Sequence, residues 1–231
     1  MYEGVLQGAL RGVTEWIPLS YSGHVSMFGL SKEFEFILSI ACLIVVLTAF
    51  RNKVKTIVTS ALNKDKQPLR FLYMLFLGSI PFTVAVFWSL PPYFAGVGFL
   101  INGLFLISTV LVQKNGRVSP IKASIIGGFQ ALSVIPGVSR TGITISSAML
   151  MGIRREDALF FSLMLSVPAL ILKMFTSAVS VSLEGVLAGL IALVLGYASL
   201  KFLIILVKSN KLWVIGVYSF VIFALNLLIS T

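Results

Sequence analysis

The stretch GALRGVTEWIPLSYSG, residues 8–23, and the histidine that follows it decide how the rest of the chain is interpreted. The stretch is largely apolar, but Gly, Pro and Ser interrupt it, and Arg11 and Glu15 place two charges inside it. In a membrane, an interrupted helix is tolerated only where its irregular backbone lines a cavity or packs inside the protein. The stretch therefore predicts a broken helix that carries a polar site into a membrane.

The composition of the whole chain agrees with a membrane location. Of the 231 residues, 58% are hydrophobic and 11% are charged, and the mean hydropathy is +1.01. A soluble domain of this size needs far more charge to cover its surface. The net charge of +10 comes from basic residues in short tracts between apolar segments, so we exclude nucleic acid as a partner and expect cytoplasmic loops. Cys42 is expected to be a buried apolar residue, and Glu3 argues against a cleaved signal peptide.

Hydropathy predicts an all-α polytopic membrane protein that forms a single membrane domain over residues 1–231. Two apolar stretches, 3–30 and 120–152, are broken by Gly, Pro, Ser and a charge near the middle. Six further stretches are long enough, or nearly long enough, to span a bilayer. They are about 36–50, 70–88, 95–113, 157–177, 183–207 and 212–230.

Loop charges predict the orientation of these segments. The connection 51–70 has six basic residues and one acid, Asp65, so we place it in the cytoplasm. The connection 31–35 is net acidic and should face outward. Three spans separate the two broken stretches, so the first is expected to enter from the outer side and the second from the cytoplasm.

A shift of 119 residues aligns the two broken stretches with each other. GALRGVTEWIPLSYSG then lies over GGFQALSVIPGVSRTG, residues 127–142, with Gly8 on Gly127 and Ser20 on Ser139. Each stretch is followed by three predicted spans. We infer a duplication, with repeat 1 at about 1–115 and repeat 2 at about 120–231. Copies with three spans each must be antiparallel, and their breaks can then meet near the membrane midplane.

The residues at the two breaks indicate an anion site. A charge deep in a bilayer is costly, so Glu15 and Arg140 each need a partner or a polar cavity. Arg140, with hydroxyls on either side and a loop of backbone N–H groups, suits phosphate oxygens. His24, the only histidine of the chain, titrates near neutral pH and could act as a base, an acid or a nucleophile. Glu15 could bind a divalent cation or orient the imidazole ring.

Structural roles for the same residues are also open. His24 could form a hydrogen bond between helices, and the Ser and Thr residues could mark close helix packing. Glu15 and Arg140 could form an ion pair that only joins the two repeats. A functional site is favoured because the sole histidine, an acid, an arginine and five hydroxyls all occur at the two breaks.

With these motifs in view, the chain resembles the undecaprenyl pyrophosphate phosphatase family of the bacitracin-resistance type. GVTEWIPLSYSGH and PGVSRTGITIS resemble its two signature motifs, and the likeness covers nearly the whole chain. The resemblance implies six transmembrane helices plus two re-entrant helical hairpins, arranged as an inverted repeat. It also implies hydrolysis of a C55 polyprenyl pyrophosphate to the monophosphate, with Mg²⁺ or Ca²⁺, at a site that opens toward the outer side of the cell membrane.

The resemblance also assigns roles by position. Glu15 matches an acid of the family's acidic motif and would hold the cation, whereas Ser22 and His24 match its hydroxyl and histidine. With Arg140, these form the predicted catalytic set. Substrate-binding roles are expected for the remaining motif residues: Arg11, Ser20, Tyr21, Ser139, Thr141, Gly142 and Thr144.

Three positions depart from the family pattern. Arg11 stands where the family has Glu or Gln, Tyr21 where it usually has a second serine, and Ser39 where it has Gln. A phenol with the ordinary pKa of about 10 is a poor nucleophile at neutral pH unless it is activated. Arg11 removes one metal ligand and adds a cation one turn before Glu15. Either the site is retuned around His24 or the hydrolytic step is lost.

Three functions follow from these residues. The leading prediction is metal-assisted hydrolysis of a polyprenyl pyrophosphate lipid taken from the bilayer; the alternatives are a non-hydrolytic flippase or transporter for such a lipid and a regulatory paralogue. The type 2 phosphatidic acid phosphatases also have SGH and SR elements, but they need a second histidine and are excluded. The oligomeric state is left open, with a homodimer as one option.

Overall fold

A computed structural model describes residues 2–31, 33–88, 90–111, 115–179 and 181–230. Residues 112–113 of the third predicted span and Lys32 of the predicted outward connection lie outside these ranges. The described residues form α-helices and short 3-10 turns without a β-strand, which confirms the predicted all-α class. The helices are α1 (Tyr2–Trp16), α2 (Tyr21–Phe28), α3 (Glu35–Ala49), α4 (Arg51–Leu62), α5 (Lys66–Ala85), α6 (Ala95–Ser108), α7 (Pro120–Ala131), α8 (Arg140–Leu150), α9 (Arg155–Thr176), α10 (Leu183–Lys208) and α11 (Leu212–Ser230).

Four helical segments of the described chain are long and apolar enough to cross a membrane. They are α5, α9, α10 and the segment Pro92–Leu111, which contains α6. A fifth is added if α3 and α4, which are bent by 80° against each other, count as one broken span. The apolar part of α11, Leu212–Leu228, is shorter than each of these four segments. The chain is therefore a helical protein with four or five candidate spans, fewer than the six predicted.

The connection 51–70 contains a helix where the loop charges predicted only a loop. Residues Arg51–Leu62 form α4, which has no buried residue and carries exposed Val58 and Leu62 beside its basic side chains. Val54 packs at the edge of the core, and the remaining mixture of exposed apolar and basic side chains is typical of a helix at a membrane interface. Counting charges identified the basic tract but overlooked its helical spacing.

Each broken stretch forms two helices with a turn between them. In the first stretch, α1 ends at Trp16, and Ser20 has φ +66° and forms the N-cap of α2. In the second, a 3-10 turn and Gly137, at φ +96°, lead to Ser139, the N-cap of α8. The two N-cap serines are the pair that the 119-residue shift aligned. None of the four helices reaches the length of a span.

Small residues bring α1 and α10 together in parallel. A Cβ atom on Gly8 would lie 2.4 Å from the carbonyl oxygen of Ala188, and one on Gly12 would lie 2.8 Å from that of Ala192. Such spacing of small residues allows close backbone contact between membrane helices. On the other stretch, α7 packs on α5 in the same way, since a Cβ on Gly127 would lie 2.2 Å from the Gly78 oxygen.

The two broken stretches begin at opposite ends of α10. Near its start, the Glu184 carboxylate accepts a hydrogen bond of 2.8 Å from the Gly4 amide. Near its end, Lys208 lies 3.9 Å from Glu156, at the start of α9, next to the loop where the Arg154 amide bonds Gly116. A helix of 26 residues is roughly 39 Å long. The stretches thus enter the protein from opposite ends, and their breaks lie inside.

Candidate active site

The two breaks meet around one cavity of about 50 Å³. The first broken stretch, the second broken stretch and two spanning helices all contribute lining residues. They are Arg11, Thr14, Glu15, Ser20, Tyr21 and Ser22; Ser133, Val138, Ser139, Arg140 and Thr141; and Phe82 and Lys173. Most of the residues predicted from the two motifs are therefore brought together.

The helices α2 and α8 both begin at this cavity. Their N-cap serines accept hydrogen bonds from backbone amides three residues later, Gly23 to Ser20 at 3.3 Å and Gly142 to Ser139 at 3.2 Å. The N-terminus of a helix carries a partial positive charge and free N–H groups. Two such ends at one cavity favour an anion.

Asn102 of α6 holds the two breaks in register. Its side-chain nitrogen donates hydrogen bonds of 2.9 Å to the Pro18 carbonyl and 3.0 Å to the Ser219 hydroxyl, and its oxygen accepts one of 3.1 Å from the Ser139 amide. The residue is fully buried. The sequence interpretation overlooked Asn102 because one polar residue inside an apolar span forms no local motif. Its only signal was the cost of placing an amide in a membrane.

A chain of buried ion pairs forms one wall of the cavity. Glu15 pairs with Arg140 and, at 3.3 Å, with Arg11, and Arg11 also lies 3.1 Å from Glu35. Lys173 of α9 lies 2.9 Å from the same Glu35 oxygen. The Glu15–Arg140 pair confirms the predicted contact between the two breaks. The side chain of Glu35, at the end of the connection 31–35, is buried against Arg11 and Lys173, whereas the predicted outer location of that connection stays a prediction.

Lys173 is a site residue that the sequence interpretation missed. It lies within the predicted span 157–177, which was assigned from its overall hydropathy. A lysine there was a signal in itself, because charges inside spans almost always face a cavity or a partner.

Arg140 keeps two unused donors at the cavity. Its Nη2 bonds Glu15, whereas Nε and Nη1 are buried and have no hydrogen-bond partner among the described residues. The guanidinium lies 5.9 Å from the centre of the Phe82 ring, which excludes water from that side. Buried donors without partners are costly in a native protein. A phosphate oxygen would satisfy them.

His24 lies behind the cavity and is absent from its lining. Its Nδ1 bonds the Ser20 carbonyl at 2.8 Å, its Nε2 bonds the Tyr218 hydroxyl at 2.8 Å, and its ring packs edge-on against Phe99. The bond from His24 to α11 joins two helices, as expected if His24 has a structural role. No hydrogen bond from Glu15 orients the ring among the described residues, so that predicted role is filled by Ser20 and Tyr218 instead. Tyr218 was not predicted, because nothing in α11 marks it locally.

The predicted hydroxyls divide into two groups. Ser20 and Ser22 line the cavity with 3.4 Å between their oxygens. Thr141 also lines it, but its hydroxyl donates to the Glu15 carbonyl at 2.8 Å. Thr144 donates to the Arg140 carbonyl at 2.9 Å and lies outside the lining. The two threonines thus stabilise the second break, and their O–H protons are already used.

The cavity does not offer a usual set of ligands for a divalent cation. Among the described residues, no group of three or more His, Cys, Asp and Glu is placed to hold a metal ion, and Glu15 is the acid that lines the cavity. Its carboxylate is paired with two guanidinium groups. At an effective dielectric constant of about 20, each guanidinium about 4 Å from a divalent ion would cost roughly 8 kcal/mol. The residues present do not fit the predicted ion at Glu15.

Comparison with known proteins places the chain in a family. The family model described as bacitracin resistance protein BacA matches residues 4–225. The chain is 30% identical over 241 residues to a protein named undecaprenyl-diphosphatase from Methanococcus vannielii, covering 94% of this chain and 96% of that protein. A protein of the same name from Treponema denticola is 30% identical over 254 residues, covering 94% and 93%. The chain belongs to the bacitracin resistance protein BacA family.

Proposed function

We propose that the chain hydrolyses undecaprenyl diphosphate to undecaprenyl phosphate and inorganic phosphate. Membership of the BacA family and the undecaprenyl-diphosphatase names of its relatives support this activity, and they do not favour the carrier alternative. The observation that carries the proposal is the convergence of Arg140 and two helix N-termini on one cavity. Phosphate is an anion that such a set of donors binds.

Arg140 and the start of α8 would hold the terminal phosphate. The Nε and Nη1 donors have no partner among the described residues, and each can donate a separate hydrogen bond to a phosphate oxygen. Stabilising the charge that develops on the transferred phosphoryl group is the main requirement of this reaction. Since the cavity is narrow, a bound diphosphate would displace part of the Glu15–Arg140 pair.

His24 would act as base or nucleophile after a change of partner. Its Nε2 is held by Tyr218 of α11, and the residue is absent from the cavity lining. Ser22 is the hydroxyl of the SGH element that lines the cavity. We assign the attack to water or to His24 and a positioning role to Ser22, whereas Tyr21 fills space beside Arg11.

For the membrane arrangement we propose six transmembrane helices and two re-entrant hairpins in an inverted repeat. Three observations support it: the N-cap serines lie 119 residues apart, the glycines of α1 and α7 make matching backbone contacts, and the two broken stretches enter from opposite ends. We place the start of α10 on the outer side of the cell membrane, from which the site would open. Exposed apolar side chains on the spans, such as Phe76 and Val194, suit contact with lipid tails.

Phosphate release from farnesyl or undecaprenyl diphosphate by the purified protein tests the proposal. Arg140→Ala and His24→Ala should each lower the rate at least 100-fold. Arg154→Ala is the matched control, because Arg154 is exposed and its side chain pairs with Asp157, three residues along the chain. Binding without phosphate release would support the carrier alternative. Unchanged rates in both site variants would contradict the assigned residues.

A further inference from the structure

Arg11 is a buried cation that forms part of the cavity wall. Its side chain is 1% exposed, and it lies between the carboxylates of Glu15, at 3.3 Å, and Glu35, at 3.1 Å. With Arg140 and Lys173, Arg11 gives the wall three positive charges, whereas Glu15 and Glu35 give it two negative charges. Positive charge is therefore built into the site before any substrate or ion arrives.

Of the three positions that depart from the family pattern, Arg11 contacts both of the others. The Arg11 guanidinium carbon lies 4.7 Å from the centre of the Tyr21 ring, a cation–π contact. Its Nη2 lies 3.5 Å from the Ser39 hydroxyl. A guanidinium stacks on the face of a tyrosine ring, and a hydroxyl oxygen can accept a hydrogen bond from it. The departures therefore form one adapted unit around Arg11 rather than three separate losses.

We propose that Arg11 takes the place of a divalent cation in this site, so that the chain hydrolyses the diphosphate without a metal ion. This inference rests on the proposed function. In the reaction, water adds to the terminal phosphorus and the bond to the bridging oxygen breaks. The bridging oxygen leaves with the electron pair on the polyprenyl phosphate, and the protons of water pass to inorganic phosphate and solvent. Arg11 and Arg140 stabilise the charge that accumulates on the phosphate oxygens.

Two features of the wall favour this arrangement over a bound metal ion. Glu15, the acid that lines the cavity, already has two guanidinium partners. A guanidinium keeps its charge at every pH at which the protein is stable, so it needs no loading from solution. Arg11 also lies one helical turn from Glu15 on α1 and is fixed by contacts on several sides.

The first experiment measures phosphate release from farnesyl diphosphate in excess EDTA, in Mg²⁺ and in Ca²⁺. The expected result is a rate in EDTA within about twofold of the other two. A rate that falls more than 10-fold in EDTA and returns with Mg²⁺ or Ca²⁺ would overturn the inference. An absence of hydrolysis in all three conditions counts against the proposed function instead.

The second experiment measures binding and does not depend on turnover. A non-hydrolysable farnesyl methylenediphosphonate is titrated into the detergent-solubilised protein in EDTA, with and without added Mg²⁺. The native chain should bind equally well in both. Arg11→Gln should weaken binding at least 10-fold in EDTA, whereas Arg154→Gln should not change it. Metal-dependent binding by the native chain would overturn the inference, as would an Arg11→Gln variant that binds normally.

A restored variant provides the converse test and guards against loss of folding. Arg11→Glu/Tyr21→Ser/Ser39→Gln replaces the three residues together, so that none of them remains without the neighbours it contacts in the native chain. Its thermal unfolding is compared with that of the native chain before use. The expected result is binding of the diphosphonate that now requires Mg²⁺ or Ca²⁺. A folded restored variant that binds equally well in EDTA would show that Arg11 does not replace an ion.

Discussion

His24 and Tyr218 are joined by a hydrogen bond of 2.8 Å between Nε2 and the phenol oxygen, and Nδ1 of the same ring lies 2.8 Å from the Ser20 carbonyl oxygen. A carbonyl oxygen only accepts, so Nδ1 carries the proton. In the neutral ring, Nε2 then accepts from Tyr218. The two bonds fix one neutral tautomer of the ring, with its lone pair on the nitrogen that the reaction would use.

Tyr218→Phe should leave hydrolysis within about threefold of the native rate. The hydrogen bond that it removes must break in any case before His24 Nε2 can act as base or nucleophile. His24→Ala should lower the rate at least 100-fold. The loss of one hydrogen bond should reduce the free energy of unfolding of Tyr218→Phe by about 1 kcal/mol. Initial rates and thermal unfolding in detergent measure both effects. Equal, small effects of the two variants would mean that His24 only joins helices.

The side-chain direction of His24 could not be predicted from the sequence. The motif SYSGH showed that a histidine follows the first break, but the direction of its side chain depends on how α2 is rotated by the turn at Ser20, with φ +66°. A residue other than Gly at positive φ has no reliable sequence signal. The rotation turns His24 toward α6 and α11 and leaves Ser22 at the cavity.

The breaks themselves were predictable, because Gly, Pro and Ser interrupt apolar runs and a charge needs a partner in a membrane. The ion pair between Glu15 and Arg140 could be predicted, because both residues lie at the breaks of the aligned stretches. The contacts of three other site residues could not be predicted, because each is a single polar residue whose neighbours come from distant parts of the chain. They are Glu35, Lys173 and Asn102. Their role depends on tertiary packing, which no local pattern contains.

Asn102→Ala should separate the two breaks. Three hydrogen bonds are lost, which should lower the free energy of unfolding by about 2–4 kcal/mol. A shift of about 1 Å in catalytic groups costs on the order of 100-fold in rate, so kcat should fall at least 10-fold. Ser219→Ala is the matched control, since of the three Asn102 bonds it removes only the one to α11, together with the bond that the Ser219 hydroxyl donates to the Ile215 carbonyl within α11.

The comparison of these two variants is made at a temperature at which both are folded. If Asn102 positions the breaks, kcat falls for Asn102→Ala and stays within about threefold for Ser219→Ala. A parallel decline of kcat in both variants would indicate that Asn102 contributes packing alone.

Gly8→Ala and Gly127→Ala should destabilise the chain to a similar degree. The added methyl groups would lie 2.4 Å from the Ala188 oxygen and 2.2 Å from the Gly78 oxygen, so two helices must move apart in each variant. Overpacking of this kind costs about 1–3 kcal/mol. Gly128→Ala is the control, because nothing lies within 4 Å of its added carbon. Thermal unfolding of the three variants measures these losses. A Gly128→Ala variant as destabilised as Gly127→Ala would contradict the close helix contact at Gly127.

Replacing Glu15 should harm stability more than replacing Arg11. In Arg11→Gln, Glu15 keeps Arg140 and Glu35 keeps Lys173. In Glu15→Gln, Arg140 loses its carboxylate, and an uncompensated buried charge costs about 3–5 kcal/mol. For a chain of this length, that loss lowers the unfolding temperature by roughly 6–20 °C.

The double variant Arg11→Gln/Glu15→Gln shows whether the two residues act together. Groups in one ion-pair network have coupling energies of about 0.5–3 kcal/mol, so the double variant should be more stable than the sum of the two single losses predicts. Unfolding temperatures of all four chains at one pH and salt concentration measure this coupling. Strict additivity would mean that the 3.3 Å contact between Arg11 and Glu15 contributes nothing. In that case the charge of Arg11 would be balanced by Glu35 alone, and Glu15 would be free to follow Arg140 when substrate binds.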